Sequence, residues 1–301
     1  MKEWRKPNFF IIGAPKCGTT AIASYLDEHP EIYISDPKEP DYLNSDMAYS
    51  TVSSLQEYAS CFRYATKKHK FICDASVGYL YSEKAVESIN KDYGNSKLLV
   101  MLRNPIDLVY SFYSEQVWSG AENVMDFETA WKLQSKRNVG ENIPKLCKRP
   151  FLLQYKEIGL LGKYLNKLFN VVDREKIHVV LHEDFVKNPA YEYDRILDFL
   201  GVSSMKIEDF PYVNENKKPR NRFVVPAIQW LISIKMKLGN PKFNFGIIKK
   251  IIDANSVSYK RTKLDERFRE ELSEEFYEDI MMLSKLIERN LDHWLVKSTK
   301  N

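Results

Sequence analysis

The chain has 301 residues, with 45 basic and 41 acidic side chains and a formal net charge of +4. Its 44% of apolar residues is enough for a substantial core, which excludes a disordered chain. No apolar run reaches the ~18 residues of a membrane helix, and the small positive balance asks for no nucleic-acid partner, only for a local basic cluster around an anionic ligand.

The first element in the chain is the apolar run Asn8–Gly13, which reads as a buried parallel strand. Before it, Met1–Pro7 is polar and lacks the pattern of a signal peptide. Gly13 to Thr20 form a glycine-bearing loop, and Ala21, Ile22, Tyr25 and Leu26 then show helical spacing. Further strands are expected at Lys70–Cys73, Lys97–Leu102 and Ile177–Leu181, and helices over 55–65, 80–92, 105–118 and 190–200. Pro105 suits the first turn of its helix, where a missing N–H costs nothing. Strands alternating with helices predict an α/β fold: a P-loop-like, three-layer arrangement with a central parallel sheet flanked by helices.

The region 203–222 reads as irregular and basic, and 226–252 as a packed helix and pocket wall. Leu264 to Trp294 contain no glycine or proline and read as one long helix. Its stripe is Phe268, Leu272, Phe276, Leu283, Ile287, Leu291 and Trp294. Tyr191, Trp118 and Trp131 read as core aromatics. One domain is expected over 1–301, with a nucleotide-binding core of about 8–222 and a C-terminal helical part of about 223–301.

The four cysteines (Cys17, Cys61, Cys73, Cys147) show no metal-type spacing, and the histidine pair His178 and His182 falls in a strand-like run. No metal site is expected. Free thiols point to a reducing, cytoplasmic setting.

A strand feeding a glycine loop and a helix presents backbone N–H groups to an anion. Gly13 and Gly18 let the backbone wrap closely, Thr19 and Thr20 add hydroxyls, and Lys16 adds a charge. The spacing matches the start of a nucleotide-triphosphatase loop, but Thr19 stands where that loop needs lysine. The strand 97–102 ends in Arg103 instead of leading to a magnesium-binding aspartate. The residues therefore suit an anion held by cations and hydroxyls without a metal.

Gly13-Ala-Pro15-Lys16-Cys17-Gly18-Thr19-Thr20 resembles the 5′-phosphosulfate loop of sulfotransferases that use 3′-phosphoadenosine 5′-phosphosulfate (PAPS). Leu98 to Ser111 is similar to the same family's 3′-phosphate element, a strand followed by Arg103-Asn-Pro and then Ser111. The resemblance extends to Asp74-Ala-Ser-Val-Gly-Tyr79, to His182–Pro189, and to the basic loop reaching Arg222. It implies a PAPS-dependent sulfotransferase of the soluble, bacterial type, similar to the heparan-sulfate and carbohydrate group. Pro15, Lys16, Cys17, Gly18, Thr19, Thr20, Arg103 and Ser111 would hold the nucleotide, with Lys217, Lys218 and Arg220 closing over it.

Ser35 to Leu43 is similar to the family's Lys-Glu-Pro-His-Phe-Phe segment, which makes Glu39 the base; the leaving group is a phosphate oxygen that a nearby cation would help, and Lys16 is the candidate for it. This chain departs from that pattern at Asp41, where histidine is frequent, and at Tyr42-Leu43. Asp41 either adds a second carboxylate to the acceptor side or faces solvent, and Asp74 is a further substrate contact on this reading. The acceptor is a small molecule or saccharide, attacked at a hydroxyl or, less readily, an amine. Neither nucleic acid nor integral membrane association is expected; a homodimer is allowed. Two other readings stay open: a P-loop-type nucleotide kinase, and a non-catalytic nucleotide-binding protein.

Overall fold

The computed structural model describes residues 4–47, 50–207, 210, 217–219, 224, 254–258 and 262–296. The chain divides into two compact units. The first comprises Met1–Leu108, Gly159–Val213 and Glu270–Asn301; the second comprises Val109–Ile158 and Asn214–Arg269.

The first unit carries a five-stranded parallel sheet flanked by helices, the α/β arrangement expected. Its strands are β1 (Phe9–Gly13), β2 (Ile32–Ile34), β3 (Phe71–Asp74), β4 (Lys97–Leu102) and β5 (Ile177–Leu181), in the order β2-β3-β1-β4-β5. β1 is central and buried along its whole length, so it reads as an unbroken apolar run. After β1 the chain builds one side of the sheet with β2 and β3, then crosses to the other with β4 and β5. Such a reversal leaves a crevice at the carboxyl ends of the strands. The loop after β1 and Arg103 after β4 both lie at that end.

Four strands fall where they were expected; β2 was not anticipated, because three residues at a sheet edge carry too little periodicity. The helices are α1 (Thr19–Asp27), α2 (Leu55–Ser60), α3 (Glu83–Asp92), α4 (Pro105–Ser119), α5 (Phe127–Lys132), α6 (Gln134–Asn138), α7 (Tyr155–Gly159), α8 (Leu161–Phe169), α9 (His182–Lys187), α10 (Pro189–Leu200) and α11 (Glu266–Leu286). α2 is shorter than expected and opens on a reciprocal cap between Ser54 and Glu57. A 3₁₀ turn, Val77–Tyr81, takes the start of the run assigned to α3, which begins only after its Ser82 cap. His182 is not a strand residue but the first residue of α9.

The long C-terminal helix is also corrected. α11 ends at Leu286, and a 3₁₀ turn, Asp292–Trp294, follows. Glu288 takes a left-handed φ of 53°, and Arg289 N–H reaches back to the Ser284 carbonyl. Glycine normally marks such a stop; here glutamate fills the position, so the sequence shows none. The buried stripe is Phe268, Leu272, Phe276, Ile280 and Leu283. Asp279, on the same helix, caps α8 by accepting from Gly162 N–H at 2.7 Å and Lys163 N–H at 2.8 Å. A Cβ on Gly162 would stand 2.4 Å from the Asp279 carbonyl oxygen, so only glycine allows this approach.

Trp294 is buried, donating from Nε1 to Glu183 at 2.7 Å, while its carbonyl accepts from the Asn104 side chain at 3.0 Å. Asn104 in turn accepts from Ile106 N–H, which fixes the start of α4 next to Arg103. In the second unit, β6 (Lys217–Pro219) pairs antiparallel with β7 (Ser256–Ser258). The run 226–252 lies outside the described residues. Trp131 packs edge-on against Phe127 and Phe268, whereas Tyr191 is 57% exposed and is not a core residue.

Candidate active site

The loop Pro15–Thr20 carries two left-handed residues, Lys16 at φ 63° and Gly18 at φ 89°. Gly18 is the N-cap of α1 and supplies no side-chain cap, and no acidic residue sits in the helix's first turn. The leading N–H groups of α1 are thus left without a side-chain acceptor, the condition for anion binding. Thr19 is buried, while Pro15, Lys16, Gly18 and Thr20 are half-buried.

Arg103 joins the two motifs. It leaves the end of β4, next to β1, and its Nη1 donates to the Lys16 carbonyl at 3.1 Å. The loop is therefore held from the side by a guanidinium that keeps further donors for an anionic ligand. Cys17 is buried beneath the loop, and burial pushes its thiol up to about 12 against the opposing charges of Arg103 and Lys16. It is a packing group and not a nucleophile. This donor set fits a phosphate or sulfate group: backbone N–H, hydroxyls, a lysine and an arginine.

His182 also borders the loop, with Cδ2 3.4 Å from where a Gly18 Cβ would stand. Burial, assisted by the Arg103 charge, pushes its imidazole down to about 4, so it is neutral at pH 7. The sequence signal for this residue was its place directly after a parallel strand, at the sheet's carboxyl edge.

On the opposite side of β1, next to β3, lies the segment after β2. Glu39 is 42% exposed and pairs with Lys38 at 2.7 Å. Ser35 Oγ donates to the Lys38 carbonyl, and the Pro40 carbonyl accepts from the N–H groups of Thr51 and Val52. Asp41 does not face solvent: it is buried, at a left-handed φ of 49°. Its N–H donates to Ser76 Oγ at 3.0 Å, and Thr51 Oγ1 donates to its carboxylate. Tyr42 and Leu43 form one wall of an open cleft of about 780 Å³ that also involves Ser45, Val52, Ser53 and Tyr93.

Asp74, expected as a substrate contact, has no exposed surface. Its carboxylate accepts from Ser76 Oγ at 2.6 Å, Tyr58 OH at 2.7 Å and Tyr79 OH at 2.9 Å. Burial raises its pKa to about 6 even against these donors. Ser111 is buried on α4. Lys217 and Lys218 belong to β6, and Arg220 lies outside the described residues.

No group of histidine, cysteine, aspartate and glutamate capable of holding a metal occurs among the described residues. Among them, too, no helix is long and apolar enough to cross a membrane.

The model of the sulfotransferase domain matches residues 6–294. A rat carbohydrate sulfotransferase 15 is 24% identical over 76% of this chain and 50% of its own length. A mouse heparan sulfate glucosamine 3-O-sulfotransferase 3B1 is 25% identical over 70% of this chain and 50% of its own. The chain thus spans about half the length of these curated relatives. A sulfotransferase from Alicyclobacillus acidocaldarius, solved by crystallography, superposes with a TM-score of 0.70 at 25% identity, covering 96% of this chain and 99% of that one. With an anion loop braced by Arg103 and a family match that takes in both units, this chain belongs to the sulfotransferase domain family.

Proposed function

We propose that the chain transfers the sulfuryl group of PAPS to a hydroxyl, less readily an amine, of a small-molecule or saccharide acceptor, releasing 3′-phosphoadenosine 5′-phosphate (PAP). The observation that carries this reading is the Arg103 hydrogen bond to the Lys16 carbonyl, which ties the strand-four arginine to the anion loop. PAPS, when bound, supplies an activated sulfuryl group on a phosphate leaving group.

The residues of this chain do the rest by positioning and charge. The N–H groups and hydroxyls of Pro15–Thr20 hold the 5′ end. Lys16 offsets the negative charge that grows on the leaving phosphate. Arg103 and Ser111 hold the 3′-phosphate, with Lys217, Lys218 and Arg220 as further cations. Glu39, half-buried and paired with Lys38, takes the acceptor's proton as attack proceeds in line. The buried carboxylate of Asp41 belongs to the acceptor side. The four unpaired cysteines suit a reducing cytoplasm, and a homodimer is part of the same reading.

Calorimetric titration with PAP, 5′-AMP and magnesium-ATP tests the reading. Tight binding that requires the 3′-phosphate is expected; preference for magnesium-ATP would return the kinase reading. Glu39→Gln should then lower turnover by ~10²–10⁴-fold with PAP binding retained. Near-normal turnover in that variant removes Glu39 from the mechanism.

A further inference from the structure

Asp74 is a buried carboxylate with no cation among its hydrogen-bond partners. Its Oδ1 takes the Ser76 hydroxyl and its Oδ2 takes the hydroxyls of Tyr58 and Tyr79. Two of these hydroxyls work twice. Ser76 Oγ also accepts from Asp41 N–H at 3.0 Å, and Tyr79 OH accepts from Tyr42 N–H at 3.0 Å and Leu43 N–H at 3.2 Å.

A hydroxyl has one proton to give. Because that proton goes to Asp74, the oxygen lone pairs are turned toward the backbone. Burial and the nearby Asp74 charge hold both tyrosine hydroxyls well above their ordinary pKa, so they stay protonated and keep this polarity. The direction of every bond runs one way: from the amides of Asp41–Leu43, through Ser76 and Tyr79, to one carboxylate. Asp41 sits at φ 49°, a conformation that non-glycine residues keep only when their surroundings hold them there.

We propose that Asp74 is a positioning residue for the acceptor side: its carboxylate orients the Ser76 and Tyr79 hydroxyls so that they hold the backbone of Asp41, Tyr42 and Leu43, and with it the strip that carries Glu39. The functional half of this rests on the reading of Glu39 as the base. Tyr58 makes the same bond to Asp74 and stacks its ring on Tyr42 with centroids 4.5 Å apart; phenylalanine keeps that stacking and loses only the hydroxyl, so Tyr58→Phe serves as an internal control.

The test is residue-resolved amide hydrogen exchange on the full chain, alongside the Kd for PAP and PAP release from PAPS with water as acceptor. Tyr79→Phe should expose Tyr42 and Leu43 amides at least tenfold and spare Asp41. Ser76→Ala should do the reverse. Asp74→Asn, which offers one acceptor oxygen in place of two, should expose all three, while amides of β1 and β4 and the Kd for PAP stay within twofold. Tyr58→Phe should leave the three amides protected. In PAP release, Asp74→Asn should lower kcat about tenfold with KM for PAPS unchanged.

Unchanged protection in Ser76→Ala and Tyr79→Phe overturns the proposal, even if Asp74→Asn does not fold. So does equal loss of protection across β1, β4 and the strip, or a shift in KM for PAPS without a change in kcat. A wild-type chain that fails to bind PAP overturns the transfer reading and the functional half of the proposal, while the exchange pattern still decides the mechanical half.

Discussion

Glu122 and Asp74 are carboxylates of the same depth, 1% and 0% exposed, in different units, and they are satisfied in opposite ways. Glu122 meets a cation. Arg137 grips it with two donors at 2.6 and 2.8 Å, Tyr155 OH donates at 2.7 Å, and the N–H groups of Asn123 and Val124 complete its shell at 2.9 Å. Arg137 spends its remaining Nε on the Asn142 carbonyl. Charge cancels locally, and the cluster closes on itself. Asp74 meets neutral donors, three hydroxyls and the Ser76 backbone, and no cation among its hydrogen-bond partners, so burial raises its pKa to about 6 and its hydrogen bonds are passed outward to a loop. A paired buried charge pins a fold; an unpaired one can organise a neighbouring segment through the groups that solvate it.

The comparison breaks most visibly at Arg137. Arg137→Met leaves Glu122 buried without its cation and should cost ~3–5 kcal/mol in denaturant unfolding. Adding Glu122→Leu should recover most of that, because the orphaned charge goes with it; no recovery would mean that the pair does more than cancel charge. Tyr79→Phe comes next. It strips the acceptor from two backbone N–H groups and should cost ~1–3 kcal/mol. Tyr58→Phe removes one donor from Asp74 and strands no backbone N–H among the described residues, so ~0.5–1.5 kcal/mol is expected in the same assay. A larger loss for Tyr58→Phe than for Tyr79→Phe would sink the distinction drawn between them.

The subtlest effect is in pH. Asp74 has a folded pKa above its ordinary value, so its contribution to stability is fully present below pH ~4 and is lost as pH rises through about 6. The titratable groups around it are Tyr58, Tyr79 and Tyr93, with Cys61 and Cys73, all shifted up and neutral in this range. His178 and His182 act with the other sign. Burial holds both at about 4, so their contribution is present above pH ~6.5 and is lost as pH falls toward 4. His178 stacks on Phe199 with its Nε2 buried and without a hydrogen bond among the described residues. Unfolding free energy followed from pH 7 to 4 should therefore fall less in His178→Phe and more in Asp74→Asn than in the parent. Parallel curves for all three would show that neither group titrates as its burial dictates.

Much of the scaffold was legible in the residues. Unbroken apolar runs marked β1 and β4, Pro105 marked the start of α4, and the spacing of Gly13 and Gly18 marked the glycine loop. Local signals failed where a position was filled by an unusual residue or a short element. Glu288 ends α11 in a glycine's conformation, β2 is three residues long, and His182 starts a helix immediately after a strand. Asp74 carried a family pattern, yet its type and spacing alone did not say whether it faced a ligand or the core.

By itself the sequence determined the strand–loop–helix order, the residue types at Pro15–Thr20 and Arg103 that suit an anion, and a family membership that spans both units. Those properties depend on residues adjacent in the chain or repeated at a fixed period, which a linear text preserves. The tertiary structure alone decided that Arg103 reaches the Lys16 carbonyl, that Asp41 is buried, and that Asp74 reaches the amides of Asp41–Leu43 through two hydroxyls. Each of these joins segments 30 residues or more apart, and such contacts are set by strand order and packing, which no local pattern encodes.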